Sequence, residues 1–254
     1  MASLARTELE ALLRTRKLDR TLPPAWSTGQ VQSDELTVAA TNLRLIDARL
    51  GGGFPRGQVS ELVGPRSSGR TSVLLQLLKA AIARGELVAL VDALDMLDVS
   101  SASAAGIDFE RLLWIRGHVV INPGMCRDLN QRAVEQTVKA LTLVLQADTF
   151  GIVVLDMAEA PPDAIRRLPF TTWLRLQRMV EGSQTACVLM GSEPMARSSA
   201  GLTVRLGRAS RLSRPSCPSS PSCLGDIEAR VVRARSHNHA EAAVALTTVV
   251  SPDV

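Results

Sequence analysis

Short apolar runs alternate with longer helical stretches along most of this chain, beginning at Leu43. The runs have the length of strands and predict β-structure at residues 59–63, 87–92, 111–115, 151–155 and 185–190. Helices are predicted between some of them, at residues 71–84, 127–147 and 170–181. Apolar strands that alternate with helices are typical of an α/β fold, in which helices cover both faces of a mostly parallel sheet.

The end of the chain has a different pattern, with three further apolar segments and no helical stretch between them. These segments predict three antiparallel closing strands at Leu202–Leu206, Ile227–Arg235 and Ala243–Val250. Residues 208–225, between the first two, are rich in Ser, Pro and Arg and are predicted to form a mobile loop.

The N-terminal segment, residues 1–20, contains a predicted basic amphipathic helix at residues 4–18. Thr7 and Glu10 have the spacing of a capping box. The helix combines an apolar stripe with a basic end, formed by Leu9, Leu12 and Leu13 and by Arg14, Arg16 and Lys17. Residues 21–40 contain Pro, Ser and Gly and are interpreted as a linker, so the core domain spans residues 41–254.

A phosphate-loop pattern, Gly64-x-x-x-x-Gly69-Arg70-Thr71, follows the first buried strand and opens a helix. In such loops, backbone N–H groups and the helix N-terminus bind phosphate. The predicted nucleotide-binding residues in this segment are Gly64, Pro65, Ser67, Ser68, Gly69, Arg70, Thr71 and Ser72.

Arg70 departs from this pattern, because lysine is the usual residue at its position. Arginine keeps the positive charge but is longer, planar and forked, so it can bind phosphate without occupying the place of the lysine on the transferring group. Two interpretations stay open: a nucleotide site with an altered key residue, or a turn kept only for packing.

Asp156 ends the apolar strand at residues 151–155, the usual position of a magnesium-ligating aspartate. The hydroxyl of Thr71 would be the second protein ligand to magnesium. The alternative is an ordinary aspartate at a strand end that caps the next turn.

These motifs resemble the ATPase core of the RecA recombinase family, in which a L-x-x-L-D-x-x-L-G-G-G-x-P-x-G segment precedes the phosphate loop. The similarity continues through residues 105–114 and the Asp156 strand, and it resumes at residues 231–235. The resemblance implies a RecA-like P-loop core that binds ATP and magnesium. It also implies that Asp98 lies near the adenine.

The catalytic positions of that family are altered here. Leu94 stands where active members have a glutamate that activates the attacking water. Asp95 is a poor substitute, since adjacent strand residues face opposite ways. No glutamine follows the strand at residues 185–190, where the family senses the terminal phosphate. We therefore expect no appreciable ATP hydrolysis.

The regions that correspond to the DNA-binding loops of recombinases are short and retain three basic residues, Arg166, Arg167 and Arg197. We interpret them as solvated charges, so any DNA binding should be weak, sequence-independent and sensitive to salt. Arg233 and Arg235 match cationic positions that reach the nucleotide of a neighbouring protomer in the family, although an edge strand kept soluble by arginines has the same pattern.

Within this family the chain most resembles the ImuA type, through residues 64–72 and 108–116. That resemblance implies an accessory or adaptor protein of damage-induced translesion DNA synthesis, the SOS mutagenesis pathway. Its partners would be error-prone polymerase components or RecA, docked through helix 4–18 and the exposed segment 161–180. The alternatives are an active DNA-dependent ATPase with Arg70 in place of lysine, and a SulA-like inhibitor of cell division.

Composition adds several expectations. Acidic residues interrupt the longest apolar stretches, and the N-terminus lacks an apolar signal sequence, so we expect a cytoplasmic protein without membrane spans. The four cysteines are scattered, which favours reduced thiols. Zinc is not expected, because the spacing of Cys217 and Cys223 with His237 and His239 fits no common class of site.

Overall fold

The computed structural model describes residues 37–117, 127–208, 227–234 and 244–246. Eight of the strands in these ranges form one sheet, and two short ones form a separate ribbon. The strands are β1 (Val38–Ala39), β2 (Phe54–Pro55), β3 (Gln58–Val63), β4 (Val88–Asp92), β5 (Leu112–Arg116), β6 (Ile152–Asp156), β7 (Ala186–Gly191), β8 (Leu202–Arg208), β9 (Ile227–Ala234) and β10 (Val244–Leu246).

Helices cover both faces of the large sheet, as predicted. They are α1 (Arg44–Leu50), α2 (Arg70–Ala83), α3 (Val99–Ala104), α4 (Arg127–Gln146), α5 (Pro162–Arg166) and α6 (Phe170–Val180). Along β6, Ile152 and Val154 join the apolar cluster that contains α1, α2 and α3, whereas Val153 and Leu155 join the cluster that contains α4, α5 and α6. This alternation is what a strand buried on both faces requires.

The strand order is β10-β9-β8-β3-β7-β6-β4-β5, and β3 to β8 run parallel. The closing strands β8, β9 and β10 pair antiparallel with one another, with a bulge between Thr203 and Val204. The predicted antiparallel pairing of the closing strands is confirmed, and β8 also pairs parallel with β3. The connection from β7 crosses β3 before β8 begins, so β8 emerges in the direction of the parallel strands.

The predicted strands and long helices agree with the observed ones to within one residue at most ends. The apolar pattern did not predict the short helices α1, α3 and α5. Val38 and Ala39 lie in the segment interpreted as a linker, yet they pair with β2, and Ala39 is fully buried. The folded core therefore begins before residue 41.

Several predictions fall on residues outside the described ranges. They concern helix 4–18, most of the linker and of the loop at 208–225, Arg235, and the Cys217, Cys223, His237 and His239 set. Within the described part, none of the helices combines the length and apolar character that crossing a membrane demands.

Candidate functional site

The phosphate loop follows β3, and the last five residues of this strand are buried. Gly64 follows directly, and its N–H donates to the carbonyl of Gly191 at the end of β7 at 3.2 Å. A Cβ added to Gly64 would lie 2.4 Å from the carbonyl oxygen of Leu206 and 2.7 Å from Ser68 Oγ. Only glycine fits this close approach between the loop and β8.

The loop then turns into α2 through two residues with positive φ, Ser67 at 58° and Gly69 at 89°. The N–H of Val73 donates to the Gly69 carbonyl at 3.0 Å and so begins the helical hydrogen bonds. The N–H groups that precede it at the start of α2 have no intrahelical acceptor, and Gly69 provides no side-chain cap. Unpaired donors at a helix N-terminus form a site for an anion such as phosphate.

Arg70 lies at the centre of the site and is paired with an acid that the sequence analysis did not select. Its side chain is 7% exposed, and Nη2 lies 3.2 Å from Oε1 of Glu159. The exposed Arg66 approaches the other carboxylate oxygen of Glu159 at 3.4 Å. Glu159 lies three residues after Asp156 in the sequence. This proximity to a predicted magnesium ligand is the feature of the sequence that indicates Glu159 as a site residue. The guanidinium that replaces the lysine thus contacts a carboxylate of its own chain.

Two buried polar atoms of the loop region lack hydrogen-bond partners among the described residues, Arg70 Nη1 and Ser68 Oγ. Buried donors are normally paired, so these atoms fit a site whose partner is an anionic ligand. Thr71 and Ser72 are exposed at the start of α2, where a phosphate-bound cation can reach the hydroxyl of Thr71. The cradle around Gly64 and these donors fit the phosphates of a nucleotide.

Asp156 ends β6 beside Asp92 of β4, which pairs with it in the sheet register. Burial of the Asp156 carboxyl, opposed by the backbone hydrogen bond from Ala158 and reinforced by the negative charge of Asp92, raises its pKa from 3.8 to about 6. That N–H lies 2.9 Å from Oδ1, so Asp156 caps its turn as the alternative interpretation states. A buried carboxylate beside the second carboxylate of Asp92 suits a cation ligand, because a cation offsets the cost of burying negative charge.

Within the described ranges, no group of three or more His, Cys, Asp or Glu side chains could hold a metal ion. Magnesium at Thr71 and Asp156 would therefore take most of its ligands from phosphate oxygens and water, as this ion commonly does. The residues present fit such a shared site.

Asp98, the predicted adenine neighbour, is the N-cap of α3. Its carboxylate accepts hydrogen bonds from the hydroxyl and N–H groups of Ser101 and Ser100. These bonds, that from the Ser101 hydroxyl above all, lower its pKa to about 2. Capping is the role that the structure gives to Asp98, and a contact with adenine stays a prediction.

The altered catalytic positions have other roles. Leu94 is half-buried against the cluster of α4, α5 and α6. Asp95 has a φ of 58°, and Arg116 holds both of its carboxylate oxygens at 2.6 Å while stacking over the ring of Trp114 at 4.7 Å. Asp95 is therefore committed to an ion pair and is not placed to replace the missing glutamate.

Beyond β7, Glu61 holds the segment where the sensor glutamine would lie. This fully buried residue of β3 accepts the N–H groups of Met195 and Ala196 at 2.6 and 2.7 Å and the hydroxyl of Thr203 at 2.8 Å. The sequence indicates a structural role for Glu61, because an acid inside an apolar strand is buried and its carboxylate must accept hydrogen bonds from nearby donors. Glu61 ties β3, this segment and β8 together.

Two of the three basic residues in the short regions that correspond to the DNA-binding loops line the same cavity. Arg166 and Arg197 line one cavity of about 350 Å³, between α5, α6 and the segment after β7. Arg166 also pairs with Asp163 at 3.1 Å, and Arg167 is exposed. Arg233 donates from Nη1 to the carbonyl of Arg197, so this predicted intersubunit cation is bonded within its own chain.

A family profile described as the RecA N-terminal domain matches residues 26–159. The match spans more than half of the chain and includes the phosphate loop, Asp156 and Glu159. The chain belongs to the RecA family.

Curated RecA proteins match a shorter segment. Protein RecA of Nostoc sp. is 43% identical over 74 residues, which are 29% of this chain and 21% of that protein. Protein RecA of Synechococcus sp. is 38% identical over 85 residues, which are 34% of this chain and 23% of that protein. The matched part thus spans about a fifth of the length of these RecA relatives.

The fold comparison extends over a larger part of the chain. A crystal structure of the RadB recombinase superposes with a TM-score of 0.51 and covers 78% of this chain and 90% of that one. The sequences are 17% identical over this region, so the likeness shows a shared fold. The RecA-like core predicted from the sequence is confirmed.

Proposed function

We propose that this RecA-family chain is an accessory or adaptor protein of damage-induced translesion DNA synthesis, of the ImuA type, with a degenerate ATPase site. The observation that carries the proposal is the pairing of Arg70 with Glu159 in the phosphate loop. It supports a core that keeps the nucleotide cradle but has lost the charge arrangement for phosphoryl transfer. Leu94, in place of the activating glutamate, supports the same conclusion.

A nucleotide would bind through the backbone N–H groups from Gly64 to Ser72, with magnesium held between Thr71 and Asp156. Bound magnesium would neutralise phosphate charge and relieve the unfavourable charge on Asp156. Arg70 would have to leave Glu159 or share it in order to reach phosphate. The two described acids next to Leu94 in the chain have other partners: Arg116 holds Asp95, and Asp92 accepts the N–H groups of Leu94 and Leu97. In this proposal, the bound nucleotide stabilises the fold of the chain and is not hydrolysed.

The partners we propose are error-prone polymerase components or RecA, contacted through helix 4–18 and segment 161–180. Any DNA contact would come from Arg166, Arg167 and Arg197. These side chains offer positive charge to the DNA phosphates but no aromatic surface for stacking of bases. DNA binding would therefore be weak and would decline steeply with salt.

Steady-state phosphate release with and without single-stranded DNA tests the degenerate site. We expect background rates for the wild-type chain and for the matched variant Asp156→Ala. Turnover on the order of one per second, lost in Asp156→Ala, would identify an active ATPase instead. Anisotropy titrations of labelled single-stranded DNA across salt concentrations test the second expectation, and tight binding that persists at high salt would contradict it.

The cellular role is tested by deleting the gene and counting mutations after DNA damage. We expect damage-induced mutagenesis to fall and to recover when either the wild-type chain or Asp156→Ala is supplied. Filamentous growth on overproduction, with mutagenesis unchanged by the deletion, would instead support an inhibitor of cell division.

A further inference from the structure

An apolar groove runs between α4 and α6 on the face of the sheet opposite α2, with a volume of about 1180 Å³. On α4 its wall is formed by residues three and four positions apart, which lie on one side of a helix. They are Glu135, Val138, Lys139, Thr142, Leu143 and Gln146. The other wall is formed by residues of α6, and a groove between two helices can seat a third helix.

The groove exposes apolar surface that the described part of the chain leaves uncovered. Leu143 is 67% exposed, the largest fraction for any large apolar side chain among the described residues. Leu168 and Leu176 form buried parts of the lining, and Met179 is half-buried beside them. A contiguous apolar patch rimmed by polar groups is typical of a protein contact, and methionine adapts to differently shaped partners.

The charges on the rim indicate the partner. Lys139, Arg175 and Arg178 line the groove and are exposed, whereas Glu135 is the only acidic lining residue among those that the structure describes. None of the three basic side chains makes an ion pair with another described residue, unlike Arg56, which pairs with Glu86 at 2.7 Å. The excess positive charge favours an acidic occupant and disfavours helix 4–18 of this chain, which ends in Arg14, Arg16 and Lys17.

We propose that this groove binds an acidic amphipathic helix of a partner protein. Apolar side chains of the partner, three and four residues apart, would contact Leu143 and Met179, while its flanking carboxylates pair with Lys139, Arg175 and Arg178. The shorter wall, α6, has 11 residues and is about 16 Å long, which sets the docked segment at about three helical turns. The inference rests on the proposed adaptor function for the existence of a partner, and it adds the chemistry of that partner.

The test uses the full chain and three labelled peptides of about 14 residues. The first is a helical peptide with leucines spaced for the groove and glutamates on its flanks. The second has the same leucines with lysines on the flanks, and the third is residues 4–18 of this chain. We expect saturable binding of the acidic peptide alone in anisotropy titrations, weakened at least about tenfold by Arg175→Glu and by Leu143→Ser.

Arg44→Glu is the matched control, because Arg44 is an exposed arginine on α1, which packs on the other face of the sheet. It should leave the affinity unchanged. Lys139→Glu replaces any groove variant that fails to fold, as judged by its thermal transition. The proposal is overturned if the acidic peptide does not saturate, if the lysine peptide binds equally, or if the groove variants bind like Arg44→Glu. Binding of the acidic peptide by a chain whose deletion leaves mutagenesis unchanged would refute the proposed function and retain the groove.

Discussion

Replacing Asp156 with asparagine should stabilise the folded chain at neutral pH. Burial of the Asp156 carboxyl and the neighbouring charge of Asp92 raise its pKa from 3.8 to about 6. A pKa difference between the folded and unfolded chain corresponds to about 1.4 kcal/mol for each pKa unit. The charged carboxylate therefore lowers the free energy of unfolding by about 3 kcal/mol, reduced towards about 2 kcal/mol because the side chain keeps some contact with water.

The pH dependence follows from the direction of this change. Below about pH 4 the carboxyl is protonated in both the folded and the unfolded chain, and this penalty on the free energy of unfolding is absent. Between about pH 4 and 6 the folded chain holds a proton that the unfolded chain has released, so the free energy of unfolding falls as the pH rises. Above about pH 6 the penalty is complete. Asparagine keeps an acceptor for the Ala158 N–H and carries no charge, so the variant lacks this dependence.

Urea unfolding of both chains at a series of pH values measures the difference directly. The stabilisation by Asp156→Asn should be about 2–3 kcal/mol at pH 7 and should vanish near pH 4. Asp163→Asn, on the surface of α5, is the control for a general effect of removing one negative charge. A difference that does not change with pH, or a destabilised Asp156→Asn at pH 7, would refute the reasoning.

Substitutions at three further residues test the site. Glu159→Gln should tighten binding of a fluorescent ADP analogue about fivefold, since it frees Arg70 from an ion pair worth up to about 1 kcal/mol; unchanged affinity would show that the pair does not compete with phosphate. Glu61→Ala should lower the free energy of unfolding by at least about 3 kcal/mol in urea titrations, and Glu61→Gln by much less, because glutamine still accepts the Met195 and Ala196 N–H groups. Gly64→Ala should lower the Tm by several degrees, and an unchanged Tm would mean that the loop and β8 separate easily.

The strands that position the site were predictable because they are buried on both faces. The continuous apolar runs of β6 and β7 carry a strong signal, and the residues that follow them mark the ends of the strands. The short helix α3, with the sequence V-S-S-A-S-A, has no apolar periodicity. It depends on the cap from Asp98, so the pattern of apolar positions did not reveal it.

The pairing inside the site was harder to predict, because it depends on tertiary structure. The phosphate loop identified Arg70, but its partner Glu159 is 89 residues away along the chain. The pattern showed that lysine was replaced, and the fold was needed to show that the arginine is neutralised by its own chain. In the same way, Asp95 was set aside on strand geometry, and the structure adds that Arg116 holds it.

The close approach of Gly64 to the Leu206 carbonyl leaves no space between the phosphate loop and β8. The loop cannot move towards β8 to accommodate a bound phosphate without displacing that strand, because even a methyl group does not fit between them. β8 is hydrogen-bonded to β9, where Arg233 reaches the carbonyl of Arg197. A displacement of β8 by the loop would therefore also disturb the pairing of β8 with β9 and the hydrogen bond from Arg233 to the Arg197 carbonyl.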